Sequence, residues 1–325
     1  MKRFIAFVSV GALIWTFGCR GERRLQGLST SDGFVKIGDN VHLYFKSIGE
    51  GSDVIIIPAA AYLEYEFERL AAKDRTLIFY DMRNRGRSCH ISNASQISMD
   101  NEVSDLECLR QHLGKEKVSL IGWSYLGAMV ILYALEYPER VSRIIQIGPL
   151  PPTQALFAKS KATPMDEKNQ ARLNKMKEEA LESTVPETFC KKYWEIYLKR
   201  IFYDPEKISH FRSDKCKFEN EMPDNVNFQL GAVIDSLGKW DWLDKLNAIK
   251  IPVLTIHGDS DPTCPLEGSR TWVAWLQTAR LFIVPNAGHM PFVEDPDLFY
   301  SAVNTFLKGE WPENSEIVGV PVYLH

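Results

Sequence analysis

The sequence predicts an α/β fold, with a mostly parallel twisted sheet, helices on both faces and a helical lid insertion. The first observation is a series of short, continuously apolar runs, which are typical of strands covered on both faces. The second is the alternation of these runs with segments whose apolar residues recur at helical spacing. The third is a break in that alternation between residues 150 and 247. Repeated β–α units favour a parallel sheet, and the break favours an insertion.

The predicted elements begin with a hairpin, whose strands at 34–37 and 41–45 are joined through Gly38, Asp39 and Asn40. The later elements follow in order: strands at 54–57 and 76–80, a helix at 99–113, a strand at 117–121, a helix at 125–137, a strand at 144–147, and, after the break, strands at 252–256 and 281–284 and a helix at 296–307.

Composition divides the chain into segments around this core. Residues 32–149 and 248–310 form the predicted α/β core, and residues 150–247 form the lid, which is rich in Lys, Glu and aromatic residues at helical spacing. We expect the lid to cover the carboxyl edge of the sheet, where open sheets of this kind bind their ligands. Residues 20–31 are predicted to be a polar tether, and residues 311–325 a C-terminal tail.

The first 19 residues have the layout of a signal peptide. Basic residues at 2–3 precede an apolar run at 4–18, which is shorter than the roughly 20 residues that span a bilayer. The run ends at Cys19 and resembles a bacterial lipoprotein signal, which implies lipidation of Cys19 and export to the periplasmic side of the cell envelope. Thr16 and Phe17 depart from that pattern, so ordinary export, an uncleaved anchor and a cytoplasmic location stay as alternatives.

Charge and cysteine content narrow the possible partners. A net charge of −4 gives no reason to expect nucleic-acid binding, and membrane contact is expected only through the N-terminal lipid. No metal-binding pattern or phosphate-binding glycine loop is present, so neither a metal nor an organic cofactor is predicted. If the protein is exported, Cys190 and Cys216 form the one plausible disulfide; free or buried thiols are an equally tenable interpretation.

The stretch Gly122-Trp123-Ser124-Tyr125-Leu126-Gly127 lies between an apolar β-type run and a helical run. A serine at a sharp strand-to-helix turn projects its hydroxyl from the sheet, and the helix N-terminus favours developing negative charge. Ser124 is therefore a candidate nucleophile. The glycine expected two residues after the serine is replaced by Leu126, which we interpret as a local variation, with Gly127 relieving the contact between helix and strand.

A serine nucleophile needs a base, and that base needs an orienting acid. Asp259 and Asp261 follow the predicted strand at 252–256, and His289 follows the strand at 281–284. Both positions are loops at the carboxyl edge of a parallel sheet. Acid and histidine therefore follow the serine in the order found in proteins that place the serine on such a turn.

Residues 34–310 resemble the α/β-hydrolase superfamily, and more closely its prolyl iminopeptidase-like branch. The similarity rests on four motifs, which are the segment at 80–88, the turn at Ser124, the segment at 258–261 and the segment at 287–289. The resemblance implies that Ser124 is the nucleophile, that His289 is the general base and that Asp261 is the acid, with Asp259 as the rival. It implies no cofactor. Asp81 and Arg83 are interpreted as a structural turn pair.

The predicted oxyanion hole consists of the Tyr125 N–H and a second donor from the loop after residue 57, where relatives usually carry glycine. Here the loop reads Pro58-Ala59-Ala60-Ala61-Tyr62. Ala60 is the predicted donor and Ala59 the alternative. Proline has no N–H and alanine adopts positive φ less freely than glycine, so a poorly formed hole would make a weak enzyme.

The expected substrate is a small molecule or a short peptide. Prolyl iminopeptidases hold a free ammonium, usually with carboxylates from the lid, and the lid here contains several acidic and aromatic residues: Glu187, Glu195, Asp214, Glu219, Glu221, Tyr193, Trp194, Tyr197, Phe202, Tyr203, Phe211 and Phe218. An N-terminal peptidase and a carboxylesterase are equally tenable. A catalytically weak or inactive binding protein of the cell envelope is the alternative of another class.

Overall fold

The computed structural model describes residues 27–38, 40–159, 167–179 and 181–319. The predicted signal segment with Cys19, most of the predicted tether, Asp39 and the last six residues of the tail lie outside the described residues. Within the described part of the chain, no helix has both the length and the apolar character needed to cross a membrane.

A single sheet of eight strands organises the core, in the order β1-β2-β4-β3-β5-β6-β7-β8. β1 pairs antiparallel with β2, and β2 antiparallel with β4, whereas every later pairing is parallel. The strands are β1 (Thr30–Ile37), β2 (Val41–Ile48), β3 (Asp53–Pro58), β4 (Arg75–Tyr80), β5 (Val118–Trp123), β6 (Val141–Ile147), β7 (Val253–Gly258) and β8 (Ala279–Val284). The predicted fold class is confirmed; β1 starts four residues earlier than the sequence pattern indicated.

The α-helices in the described residues are α1 (Ala60–Phe67), α2 (Met99–His112), α3 (Tyr125–Glu136), α4 (Gln154–Phe157), α5 (Glu167–Glu178), α6 (Leu181–Thr184), α7 (Pro186–Ile201), α8 (Pro223–Ser236), α9 (Leu243–Leu246), α10 (Leu266–Trp275), α11 (Pro291–Glu294) and α12 (Pro296–Leu307). Short 3₁₀ turns lie at Glu68–Leu70, Ala94–Gln96, Pro138–Arg140, Pro205–His210 and Glu219–Glu221.

Local sequence explains where the core elements begin and which faces they bury. The central strands are almost wholly apolar and buried on both faces, as β3 and β4 show. Ser98 caps the N-terminus of α2, where its Oγ accepts the Asn101 N–H at 3.1 Å, and Asp295 caps α12, where its carboxylate accepts the Leu298 N–H at 3.1 Å. α3 is the central helix, and nine of its twelve residues are buried.

α4 to α9 lie between β6 and β7, in the segment predicted as the lid. A disulfide joins Cys190 on α7 to Cys216 in the following loop. A buried ion pair attaches this segment to the core: Arg85 donates from Nε and Nη2 to the Glu221 carboxylate, at 3.0 and 2.8 Å. Two parallel hydrogen bonds between a guanidinium and a carboxylate fix the relative orientation of the two side chains and add to the attraction between their charges.

Asp81 and Arg83 are structural, but they do not pair with each other, which corrects the sequence interpretation. Arg83 donates to both carboxylate oxygens of Asp105 on α2. Asp81 accepts hydrogen bonds from the backbone N–H of Ala61 and from the backbone N–H and Nε of Arg87. Helical spacing predicts that Asp105 lies on α2, but no local pattern pairs it with Arg83, which lies in a different segment.

Candidate active site

Ser124 lies between the end of β5 and the start of α3 in a strained backbone conformation, with φ of 59° and ψ of −131°. Positive φ is rare for a residue with a side chain, and such strain persists only where neighbouring structure holds it. Here the Ser124 N–H donates to the Ile147 carbonyl at 2.9 Å, and its carbonyl accepts the N–H groups of Gly127 and Leu150 at 2.9 and 3.1 Å. The turn is therefore fixed on both sides.

The space around this turn explains which neighbours must be glycine. A Cβ on Gly122 would lie 2.3 Å from the backbone oxygen of Leu126, which no side chain allows. A Cβ on Gly127 would lie 3.0 Å from the Cβ of Pro149. The crowding near residue 126 thus involves its backbone, while the Leu126 side chain is buried and lines a cavity beside Ser124. Leucine at this position is compatible with the turn.

His289 and Asp261 form a close pair, with 2.7 Å between His289 Nδ1 and Asp261 Oδ2. The other carboxylate oxygen of Asp261 accepts the N–H groups of Thr263 and Cys264 at 2.7 and 3.0 Å. Burial alone would raise the pKa of Asp261, but the charge and hydrogen bond of His289 outweigh burial and lower it. Asp259, the rival acid, is exposed and accepts a hydrogen bond from the Ser260 hydroxyl.

The histidine loop is held from several directions. The Trp123 indole donates to the His289 carbonyl at 2.8 Å, and the His289 N–H donates to the carbonyl of Ile201 at the end of α7. A Cβ on Gly148 would lie 3.0 Å from Asp261 Oδ2 and 3.1 Å from His289 Nδ1, so a side chain would crowd the pair, and the φ of 48° also favours glycine.

The predicted oxyanion donors both begin helices. Tyr125 is the first residue of α3 and Ala60 the first of α1, so neither N–H has an acceptor within its own helix. Ala59 adopts the left-handed conformation, with φ of 68° and ψ of 51°, and lines the cavity. The next N–H, of Ala61, donates to the buried Asp81 at 2.6 Å.

A cavity of about 170 Å³ contains this site, and both Ser124 and His289 line it. The lid supplies an aromatic wall that includes Phe157, Tyr193, Trp194 and Tyr197. Among the described residues, no carboxylate lines the cavity, whereas Arg85 and Lys215 do. None of the lid acids considered as ammonium ligands lines the cavity. Glu221 is buried against Arg85, and the other four are exposed: Glu187, Glu195, Asp214 and Glu219.

A buried polar network beneath Ser124 was not predicted from the sequence. Glu102 on α2 accepts hydrogen bonds from the Tyr125 hydroxyl at 3.3 Å and from Gln229 Nε2 on α8 at 2.7 Å. Burial, together with the neighbouring Asp105 carboxylate, raises the pKa of Glu102 from its usual 4.5 to about 8. The available signal was its spacing, because Glu102 lies one turn from Leu106, on the face predicted to be buried.

Comparison with known proteins agrees with this architecture. A family model described as the alpha/beta hydrolase fold matches residues 57–296, which is more than half of the chain. The chain belongs to the α/β-hydrolase family. The predicted resemblance and the predicted enzyme class, an α/β-fold hydrolase, are thereby confirmed.

The relatives of this α/β-hydrolase include peptidases and other enzymes. A proline iminopeptidase from Lactobacillus helveticus is 25% identical over 285 residues, covering 81% of this chain and 93% of the relative. A putative 2-succinyl-6-hydroxy-2,4-cyclohexadiene-1-carboxylate synthase from Bacillus subtilis is 28% identical over 239 residues, covering 72% and 81%. The structure of an α/β-fold hydrolase from Bacillus anthracis matches with a TM-score of 0.65 at 22% identity, covering 86% and 99%, which shows the fold alone.

Replacing Ala59 with glycine tests the strain in the predicted oxyanion loop. The left-handed conformation costs a residue with a Cβ about 1–2 kcal/mol, and glycine avoids that cost. We expect Ala59→Gly to leave the free energy of unfolding unchanged or higher, whereas the control Ala61→Gly, inside α1, should lose about 1 kcal/mol. Urea denaturation measures both, and equal losses in the two variants would contradict the argument.

Glu102→Gln tests the buried acid in this α/β-hydrolase. Its folded pKa, about 8, lies above the unfolded value, so its contribution to stability is fully present below about pH 4.5 and is lost as the pH rises through 8. Glutamine cannot ionise. We therefore expect the variant to gain stability relative to the wild type between pH 5 and pH 8, by at least about 1 kcal/mol, because one pKa unit corresponds to about 1.4 kcal/mol.

The matched control for this change is Glu107→Gln on the same helix. Hydrogen bonds from Arg110 lower the pKa of Glu107 to about 2, so its contribution is present above about pH 4.5 and is lost only as the pH falls through 2. Glu107→Gln should therefore lose the same stability at pH 5 and at pH 8. A Glu102→Gln variant whose difference from wild type did not change between these pH values would refute the assignment of a raised pKa.

Proposed function

We propose that this protein is a serine hydrolase that acts through Ser124, His289 and Asp261 and cleaves carboxylic esters. The observation that carries the proposal is one cavity lined by both Ser124, held at the N-terminus of α3, and His289, hydrogen-bonded to the buried Asp261. A positioned base and an orienting acid are what a serine hydroxyl needs to become a nucleophile.

In the proposed reaction, the Ser124 oxygen attacks the ester carbonyl while its proton passes to His289. Asp261 keeps the imidazole oriented and stabilises its protonated form. The N–H groups of Tyr125 and Ala60 bind the resulting oxyanion. When the intermediate collapses, the alcohol leaves with the proton from His289 and the acyl group stays on Ser124. Water, deprotonated by His289, then releases the carboxylic acid and restores the serine.

The lining of the cavity favours an ester over an N-terminal peptide. An aminopeptidase must bind a free ammonium, and a carboxylate in the cavity would do so. The described lining contains Arg85 and Lys215 instead, and Glu221 is neutralised by Arg85. The aromatic lid residues, such as Trp194 and Tyr197, suit an apolar acyl or alcohol group.

An N-terminal peptidase is the second candidate, because several relatives carry the name proline iminopeptidase. The third candidate is a binding protein that keeps the scaffold and turns over slowly or not at all. The alanines of the loop after β3, where relatives usually carry glycine, are the feature that favours this last candidate.

A fluorophosphonate probe tests the proposed nucleophile. We expect stoichiometric labelling of the folded protein, absent in Ser124→Ala. His289→Ala and Asp261→Asn should lower turnover by about 10³–10⁴-fold while thermal unfolding stays cooperative, because each removes part of the proton-transfer machinery. The matched control is Asp259→Asn, which should keep wild-type turnover. A folded wild-type protein that is never labelled would support the binding protein instead.

A substrate panel separates the two enzymatic candidates. We expect hydrolysis of p-nitrophenyl esters and little release of p-nitroaniline from proline p-nitroanilide. A kcat/KM higher for the anilide than for every ester would overturn the ester preference and favour the peptidase.

We also propose that the protein is exported and anchored through lipid on Cys19. The disulfide between Cys190 and Cys216 supports export, because disulfides persist mainly outside the cytosol. Mass spectrometry of the mature N-terminus should find a diacylglyceryl group on Cys19, and globomycin should block processing. An unprocessed chain starting at Met1, unaffected by globomycin, would contradict this proposal.

A further inference from the structure

Lys215 is a buried lysine of the lid that lines the same cavity as Ser124 and His289. Its ammonium nitrogen has no hydrogen-bond acceptor anywhere in the described part of the chain. A lysine offers up to three N–H donors, and leaving such a group buried without an acceptor is unfavourable. The described residues therefore leave the hydrogen-bonding capacity of this nitrogen unused.

Aromatic rings surround this nitrogen without accepting a conventional hydrogen bond from it. Lys215 Nζ lies 3.1 Å from the ring centroid of Tyr62, 4.4 Å from that of Phe211 and 5.1 Å from that of Trp194. Ring faces attract a cation, which fixes the position of the amine. Burial lowers the pKa of Lys215 well below its usual range.

A second donor in the same place also lacks an acceptor. The indole nitrogen of Trp194 is buried, makes no hydrogen bond within the described residues, and belongs to a ring that lines the cavity. An indole N–H can only donate. Lys215 and Trp194 thus both line one cavity and both carry a buried donor without an acceptor.

The nearby carboxylates are already engaged. Glu221 accepts three hydrogen bonds, two from the Arg85 side chain and one from the Gly86 N–H. Glu66 accepts the backbone N–H of Arg212 at 2.8 Å. Lys215 forms no salt bridge with either. Neither carboxylate therefore supplies the acceptor that Lys215 lacks.

We propose that Lys215 and Trp194 bind a carboxylate carried by the substrate, so that this enzyme hydrolyses esters of anionic molecules. This inference rests on the proposed function of Ser124. A carboxylate offers two strong acceptor oxygens and restores the charged form of a buried lysine. A substrate with a free ammonium would find no carboxylate in the described lining, where Arg85 is already paired with Glu221.

The position of this anion site sets the shape of the substrate. The ring of Tyr62 lies 6.3 Å from that of Trp123, and the ring of Trp123 lies 5.1 Å from that of His289. Two rings therefore separate the amine from the base. The carboxylate and the ester carbonyl should lie at opposite ends of a short apolar chain, as in a half-ester of a dicarboxylic acid.

Kinetics with matched esters test this inference. The substrates are p-nitrophenyl butyrate, the half p-nitrophenyl esters of succinate, glutarate and adipate, and 4-butyryloxybenzoate, which carries the carboxylate on the leaving group. The measured quantity is the kcat/KM of an anionic ester divided by that of the neutral ester, for a carboxylate on the acyl group or on the leaving group. Lys215→Met keeps the length of the side chain, and we expect it to lower this ratio for one of the two series by about tenfold or more. A hydrogen bond to a charged group is worth about that factor. Trp194→Phe should lower the ratio less.

The control variant is Lys217→Met, an exposed lysine two residues away, which should leave this ratio at the wild-type value. Both lysine variants should unfold no earlier than the wild type on heating, because Lys215 Nζ has no hydrogen bond to lose and Lys217 is exposed. An unchanged ratio in Lys215→Met, for anionic acyl groups and anionic leaving groups alike, would overturn the inference while leaving the proposed hydrolase intact.

Direct binding separates this inference from the proposed function. Calorimetric titration with glutarate should show saturable binding to the wild type that weakens by about tenfold in Lys215→Met. If no ester is hydrolysed but this difference is present, the proposed function fails and the anion site stands. If esters are hydrolysed and glutarate binds both proteins equally or not at all, the anion site fails.

Discussion

The parallel pairing of the central strands is the constraint on which the site depends. Strands that run in one direction end at the same edge of the sheet, so the loops that follow them meet there. Ser124 follows β5, Asp261 follows β7 and His289 follows β8. Residues separated by up to 165 positions in the chain thereby lie at one edge of the sheet. The sharp turn at Ser124 is possible because Gly122 leaves room for the backbone of Leu126.

The lid is tied to this edge through buried polar groups as well as apolar packing. Gln229 on α8 donates to Glu102 and to the Tyr125 hydroxyl, and it accepts from Arg85, which binds Glu221. One end of this network therefore lies in the lid, and the other holds the side chain of the first residue of α3. These hydrogen bonds connect the lid to Tyr125, the proposed oxyanion donor. The low dielectric of the interior makes each of them costly to lose, so a change in the lid that breaks one is expected to affect the position of Tyr125.

The sequence predicted the strands, the long helices and the candidate triad because each has a local signature. The apolar runs of β3 and β4 and the spacing of Val103, Leu106 and Leu109 on α2 are of this kind. The sequence pattern did not predict α1, which starts in the alanine-rich loop after β3, or α10. The polar network was missed because partners such as Glu102 and Gln229 are 127 residues apart and no local rule pairs them. Lys215 looked like any other lysine of a charged lid, and only the surrounding rings distinguish it.

The loop after β3 shows why a substituted motif can keep the chemistry proposed for it. The proposed oxyanion donor is a backbone N–H, so the side chain of Ala60 matters less than the direction of its peptide. That direction depends on the left-handed conformation of Ala59, which alanine adopts at a cost. Two features offset this cost. The Ala59 carbonyl accepts the N–H groups of Tyr62 and Leu63 in the first turn of α1, and the buried Asp81 accepts the Ala61 N–H. Replacing glycine by alanine therefore adds strain to the loop without removing the donor. Asp81, from the segment at 80–88, holds the loop in place through its hydrogen bond with the Ala61 N–H.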